Sequence, residues 1–587
     1  MLEAYTKTLR AAQIPQTAKQ YLLTTILTTV ASFLGLLAVV VLFKTLSLPH
    51  PFTSVPEPIL LTIILGILPL SVFLLLYFYP HLTASGRKAR IDQDLQYAVT
   101  YMQALSSTLT LYQIFKSVYQ ASDLYGEVSK ECGVIVRNVE LFGLDLISAV
   151  EDAKTVTPSE KYRELLNDLL LIYKSGGNLQ NFLHAKSLSY RDLAKSEMDS
   201  LLQFLEMIAE VYVTAFVAAP IAVIIMVVAQ NLSGQQTLGN LIPILYIGIP
   251  FGAIILIGIL AILLPPNEQT ITRSEIRGTE YTADLLTESK THRTKKFEQK
   301  IASRRFLLKV RDILRHPVKF YLSHYAVAVT LGTVFALIVL ILWLNGTVAY
   351  AFPAFTTEVS ICLLVIAFLA PVALAYELRN RYISAIEKQF PDFLRDIADM
   401  RDIGMTLQSA MMQIAGSKTG VLSSELALVT KDLRYGSSIS GALVRMEERI
   451  GLITVKRAIS LLVKASEITD QIREILTIAV SDMEHFLKMK HTRFNVSFVY
   501  VAIIYLSFAI FLFTAYAMNV MFISSFTTFN ISFDTTQSKT QMFIIAILLA
   551  SFSGIMAGQL SANSILAGCK HSIIMLIMTI ITFIYLI

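Results

Sequence analysis

Residues 211–267 read VYVTAFVAAPIAVIIMVVAQNLSGQQTLGNLIPILYIGIPFGAIILIGILAILLPPN, without one Asp, Glu, Lys or Arg from Val211 to Asn267. A single helix crosses the hydrocarbon core of a bilayer with about 20 apolar residues, and this run is far longer. Its middle holds Asn231, Ser233, Gly234, Gln235 and Gln236, the chemistry of a polar turn. It therefore reads as two membrane helices joined in a hairpin. The rest of the 587-residue chain agrees: 54% is hydrophobic and 16% charged, with mean hydropathy +0.60. An ordinary soluble domain carries roughly a quarter charged residues. A soluble chain of this length would divide into several domains, each needing a charged surface. The composition excludes a soluble enzyme, a disordered chain and a fibrous repeat, and leaves a polytopic membrane protein.

The same criterion locates the other spans: Gln20–Phe43, Pro58–Pro80, one within Phe320–Thr357, Val359–Tyr376, one within Phe494–Phe533, Thr540–Ala562 and Ser572–Ile587. The expected fold is all-α, with about nine transmembrane helices. The first span is longer than a signal-peptide core and has no obvious cleavage site, so it is expected to be retained. Segments 1–19, 81–207, 265–324 and 378–493 hold 3, 13, 13 and 17 Lys and Arg, or 46 of 49. Nine spans put all four on one side, which the positive-inside rule makes cytoplasmic. The N-terminus is then inside and the C-terminus outside. The sequons at Asn231, Asn345 and Asn530 all fall in expected outer loops and are candidate glycosylation sites.

The chain divides into residues 1–80 (an N-terminal segment with two spans), 81–207 (a first helical bundle), 208–264 (a hairpin), 265–324 (a basic loop), 325–377 (a second hairpin), 378–493 (a second bundle) and 494–587 (three spans). In the first bundle Ile91, Leu95, Ala98, Val99, Met102 and Leu105 recur at helical spacing; in the second Phe393, Ile397, Met400 and Ile403 do so. The bundles also resemble each other. Val128-Ser-Lys-Glu131 aligns with Leu422-Ser-Ser-Glu425, Arg137-Asn-Val with Lys431-Asp-Leu, Phe142-Gly143 with Tyr435-Gly436, Ala149 with Ala442, and Leu169–Lys174 with Ile459–Lys464. The shared order implies a duplication, and four spans between equivalent points make the repeats parallel rather than inverted.

No chemistry of catalysis is visible. There is no phosphate-cradling loop, no HExxH, no GxSxG and no clustered His/Cys set; no metal or other cofactor is expected. Cys132, Cys362 and Cys569 are odd in number and widely spaced, and read as buried reduced thiols. The span cores hold no Asp, Glu, Lys or Arg, whereas ion-coupled transporters usually keep an ionisable residue at depth. A secondary transporter or channel with parallel repeats is the alternative reading. Gly554-Ile-Met-Ala-Gly558 permits close helix approach, within the chain or between two copies, and a homodimer is expected. Loop 265–324 carries 13 Lys/Arg against 7 Asp/Glu, matching the +6 of the whole chain. It serves as an anchor on anionic membrane lipid or as a dock for an acidic protein surface.

One family gathers these features. Phe390-Pro391-Asp392-Phe393-Leu394-Arg395-Asp396, followed by Gly404-Met405-Thr406-Leu407, resembles the opening of the type II secretion F domain. In the first bundle Tyr125-Gly126-Glu127-Val128, Arg137-Asn138-Val139-Glu140 with Gly143, and Ser175-Gly176-Gly177-Asn178-Leu179 resemble its archaeal form. The bundles depart from the pattern at Ile91-Asp92-Gln93-Asp94-Leu95, at Thr108 in the place of Gly404, and at Ala465-Ser466-Glu467 in the place of the glycine pair. The resemblance implies a non-enzymatic membrane platform of an archaeal type IV filament machine, archaellum or pilus. It would work with a cytoplasmic hexameric secretion ATPase and with pilin-like or archaellin subunits, and not with nucleic acid. Lys295, Lys296, Arg304, Arg305, Lys309 and Arg311 are then the candidate ATPase contacts. Read locally, Pro391 suits a helix's first turn, Asp392 faces the positive end of that helix, and Gly404 ends it.

Overall fold

The computed structural model describes residues 2–45, 65–66, 68–232, 241–264, 304, 325–347, 350, 356–417, 420–468, 472–522 and 535–587. Within these it is helical and contains no strand. The helices are α1 (Leu2–Ala11), α2 (Ala18–Thr45), α3 (Leu68–Leu105), α4 (Leu111–Gln120), α5 (Ser122–Glu140), α6 (Leu146–Val156), α7 (Glu160–Ser175), α8 (Leu179–Val213), α9 (Ala219–Leu232), α10 (Leu241–Leu263), α11 (Tyr325–Leu344), α12 (Thr356–Asp402), α13 (Leu407–Ser417), α14 (Val421–Arg434), α15 (Ile439–Ile450), α16 (Ile453–Ile468), α17 (Ile472–Tyr516), α18 (Thr535–Ala562) and α19 (Ile565–Ile581). A single π turn, Thr214–Ala218, joins α8 to α9 without a break. Nine helices among the described residues are long and apolar enough to cross a membrane. The protein is a multi-pass membrane protein.

The membrane helices and the bundle helices are the same helices. α3 runs for 38 residues, α12 for 47 and α17 for 45. With α8–α9 they pass unbroken through the membrane boundaries expected near residues 80, 207, 377 and 493. At 1.5 Å rise per residue, α12 is about 70 Å long, more than twice the hydrocarbon thickness. Each bundle therefore stands on two continuous stems.

The chain forms two compact units. One comprises residues 1–194 and 464–478, the other 195–463 and 479–587. In the first, Tyr5 and Leu9 of α1 are buried with Ala18, and Tyr5 stacks on Tyr77 at 5.5 Å. The short helices of its bundle are set by polar caps. Thr110 and Gln113 form a reciprocal capping box at α4, Asp145 accepts from the Ser148 N–H at α6, and Ser159 accepts from the Tyr162 N–H at α7. The second unit holds an apolar core from Leu202 to Phe583, in which Phe543 and Phe583 stack at 4.5 Å. Polar contacts tie its helices together as well: Tyr212 and Ser553 share a hydrogen bond of 2.5 Å, and Tyr500 donates to the Leu202 carbonyl at 3.0 Å.

The helix start expected at Pro391 requires correction. Pro391 lies in the interior of α12, so Asp392 does not face a helix N-terminus. An interior proline forfeits one backbone hydrogen bond and crowds the preceding turn. Here the helix continues because its inward face is filled on both sides of the proline: Phe390, Phe393, Leu394 and Ile397 are fully buried, and the two phenylalanine rings lie 5.4 Å apart. Asp392 instead accepts from Arg395 at 3.4 Å. α12 ends at Asp402, and Gly404 follows in the left-handed region.

Candidate functional site

The two bundles hold the polar and special-backbone residues that the membrane helices lack. In the first, Arg87 of α3 is buried between two carboxylates of α5. Its Nε is 2.7 Å from Glu127 and its Nη2 is 2.5 Å from Glu131. Its Nη1 donates to the carbonyl of Ala11, which ties α1 to the bundle. Lys130 adds a 2.6 Å bridge to Glu127. Burial pushes Glu127 upward, but hydrogen bonds from Lys130 and Arg87 bring it below the ordinary carboxylate value. For Glu131 burial wins over the attraction of Arg87, and its value is raised. Cys132 is fully buried with its thiol pushed up to about 12 by burial, as an inert core cysteine.

In the second bundle the residue equivalent to Glu131 is Glu425, and it too is buried and paired, with Arg449 at 2.8 Å. The partner has moved from the entering stem to α15. The next pair shows a change of charge. Asn138 donates to Asp152 at 2.8 Å, whereas Asp432 accepts from Arg445 at 3.0 Å at the matching positions. The stems of this bundle are joined to each other by Arg395–Glu484 and Glu387–Lys490. The same contact architecture thus carries different electrostatics.

The repeat extends to the backbone. Gly126 and Gly420, 294 positions apart, both have positive φ (44° and 130°) and both sit against the entering stem. A Cβ on Gly126 would lie 3.2 Å from Asp94, and one on Gly420 would lie 2.7 Å from the Gln389 amide. Both neighbours are the ends of flexible side chains, so it is the positive φ that favours glycine here. This pair escaped the sequence reading. Its signal was Gly126 next to the aligned string Val128-Ser-Lys-Glu131, with Gly420 at the same offset.

Gly143 and Gly436 both have positive φ in the turn after α5 and α14. Asp145 and Ser438 then cap the next helix in each copy. Gly176 is the left-handed cap of α7, and Gly177 donates to the Ile172 carbonyl at 3.0 Å. The divergent Ala465-Ser466-Glu467 stays within α16. Gly554 and Gly558 meet the backbone of α19: added Cβ atoms would come within 2.1 Å of the Ser572 nitrogen and 2.0 Å of the Gly568 nitrogen. That face is filled within the chain, which leaves no room there for a second copy. Asn231 lies in α9 and Asn345 in the exposed turn after α11. Arg304 is exposed, while Lys295, Lys296, Arg305, Lys309, Arg311 and Asn530 lie outside the described residues. Among the described residues no group of three or more His, Cys, Asp or Glu could hold a metal ion.

Residues 102–227 and 393–519 each match the family of the type II secretion system protein F. The chain carries two protein F domains. Each begins in an entering stem, covers a bundle and ends beyond the returning stem's entry into the membrane, so the repeated unit includes membrane helix as well as bundle. An uncharacterized protein of Methanocaldococcus jannaschii is 24% identical over 516 residues, 86% of this chain and 81% of that protein. Flagella accessory protein J of the same organism is 25% identical over 150 residues, 25% of this chain and 27% of that protein. No solved structure matches the chain.

Proposed function

We propose that this protein is the membrane platform of an archaeal type IV filament machine, an archaellum or a pilus. It couples a cytoplasmic hexameric secretion ATPase to the insertion of pilin-like or archaellin subunits into the filament, without catalysing a reaction itself. The observation that carries this reading is the pair of F domains, each standing on two unbroken stems that enter the membrane. Similarity to a flagella accessory protein supports it. A platform must pass displacement from a soluble motor to subunits held in lipid, and a continuous helix passes on tilt and rotation where a flexible linker would lose them. The charge distribution supports an orientation with the N-terminus and both bundles in the cytoplasm and the C-terminus outside. Under this reading the basic loop at Lys295, Lys296, Arg304, Arg305, Lys309 and Arg311 offers an acidic face of the ATPase a salt-sensitive contact.

Deletion of the gene tests the reading. Surface filaments should disappear while the ATPase and the filament subunits are still made. The purified chain in nanodiscs should bind the secretion ATPase of its own organism. Filaments unaffected by the deletion would overturn the proposal.

A further inference from the structure

Both bundles end, on the side away from the membrane, in the same turn. In the first, α3 runs outward from Pro80 to Leu105, and α8 runs back along it. Gln103 bonds His184 at 2.9 Å and Thr100 bonds Ser187 at 3.2 Å near the start of that return. Glu140, at the end of α5, bonds Tyr112 and Lys116 in the helix that follows α3. Lys174, at the end of α7, bonds Glu151 at 3.0 Å. The turn Leu141-Phe142-Gly143-Leu144 is therefore at the remote end. In the second bundle α13 returns from the end of α12 to Gln389, where the Leu422 N–H donates to the Gln389 side chain at 3.2 Å. α14 then runs outward again and delivers Tyr435-Gly436 to the equivalent place.

Large apolar side chains are presented there to water. Leu141 is 74% exposed, Phe142 68% and Tyr435 80%. The backbone beside each aromatic is fixed in the same way. A left-handed glycine follows it, and two residues later Asp145 or Ser438 caps the next helix through its side chain. The polar pairs beside the turns differ in charge between the copies, a neutral amide with a carboxylate in one and an ion pair in the other, yet the aromatic–glycine–cap arrangement is the same in both. Clustered exposed apolar groups mark a contact surface. Lipid does not cover them, because they lie at the end farthest from the spans. One arrangement shown twice fits a partner with the same socket more than once, which is a homo-oligomer.

We propose that Leu141-Phe142 and Tyr435 are two equivalent docking knobs for one cytoplasmic homo-oligomeric protein. Resting on the proposed function, the occupant is the secretion ATPase, held by apolar knobs in addition to the charged loop. The full chain in nanodiscs is titrated with the purified ATPase, comparing wild type with Phe142→Ala and Tyr435→Ala. Each variant should weaken binding by about tenfold or more, as loss of an aromatic anchor does, and that knob-dependent loss should be insensitive to salt. Unchanged binding in both variants overturns the knobs and leaves the platform reading standing. A photo-crosslinking residue placed at 142 or 435 in native membranes separates the remaining outcomes. Adducts from both positions to the ATPase support the knobs, and adducts to a different homo-oligomer overturn the ATPase as their occupant. Adducts to lipid, to a second copy of this chain or to two different proteins, or no adduct at all, overturn the knobs.

Discussion

Arg87→Met is the most informative single change in the first bundle. Arg87 is 6% exposed at its side chain, and its partners Glu127 and Glu131 are 8% and 3% exposed. Removing one partner of a buried ion pair costs about 3–5 kcal/mol, because the remaining charge stays buried. Lys130 still reaches Glu127, but it is 57% exposed and contributes under about 1 kcal/mol. The carbonyl of Ala11 loses its donor, at about 1 kcal/mol. The net loss is about 4 kcal/mol, or nearly a thousandfold in the opening equilibrium. Hydrogen exchange of the full chain in detergent reads it: amides of α5 and of α1 should lose protection together. Arg87→Met/Glu131→Gln should regain about half, since a neutral amide no longer leaves an anion buried.

The pH dependence carries a sign. Glu131 has a raised value in the folded state, so its folded form holds the proton longer than the unfolded one. Stability therefore falls as pH rises from the ordinary carboxylate value through the raised one. Without Arg87 the value rises further, so the variant's loss should be larger at pH 8 than at pH 5. Glu127 acts oppositely: its contribution is full above the ordinary value and is lost as pH falls through its lowered one. Protection of α5 in Arg87→Met within threefold of wild type, or a double variant no better than the single, would refute the buried-charge argument.

Gly420→Ala should destabilise the second bundle by about 1–3 kcal/mol through its φ of 130°, read as a local rise in exchange across α14; an unchanged pattern there would show that the turn relaxes. Gly558→Leu should force α18 and α19 apart, because even a Cβ comes within 2.0 Å of the Gly568 nitrogen; disulfide crosslinking of cysteine pairs along the two helices should fall, and full crosslinking would contradict the packing. Replacing Asp432 and Arg445 by Ala, singly and together, should give a coupling of about 1 kcal/mol or less for a part-exposed pair, measured by a double-mutant thermal-melt cycle, and a larger coupling would contradict its exposure. Reversing Lys295, Lys296, Arg304 and Arg305 to Glu should weaken ATPase binding and flatten its salt dependence; binding identical to wild type would remove the basic loop from the contact.

The sequence spoke most clearly where one rule governs a long stretch. The run from Val211 to Asn267 has a single reading, because lipid penalises every charge and every unpaired backbone group. The duplication was visible through ordered matches such as Phe142-Gly143 with Tyr435-Gly436. Pro391 misled because a local rule, proline at a helix start, competed with a tertiary one, the packing of Phe390 and Phe393. Arg87 was not recognisable as the centre of a buried cluster. Its partners are 40 and 44 residues away, and nothing in its neighbours distinguishes it from Lys88 or Arg90. The shared offset of Gly126 and Gly420 was present in the letters, but its meaning depends on the nearness of Asp94 and Gln389.

The two copies differ in a way that bears on how a platform works. In the first, the buried glutamate of the repeat is paired with the entering stem itself, through Arg87, and the same guanidinium holds α1. In the second, the equivalent Glu425 is paired within the bundle, through Arg449, and the stems are instead joined directly by Arg395–Glu484 and Glu387–Lys490. A push on the first bundle would therefore reach the membrane through one buried charge cluster linking stem, bundle and N-terminal helix. A push on the second would move two stems joined by a half-exposed pair, Arg395–Glu484, which salt screens readily, and by Glu387–Lys490, whose carboxylate is buried. The Arg87 cluster is screened less, because its three charged groups are buried together. Raising salt should then weaken the Arg395–Glu484 link while leaving the Arg87 cluster intact, and exchange rates of α17 and α5 measured across a salt series would separate the two.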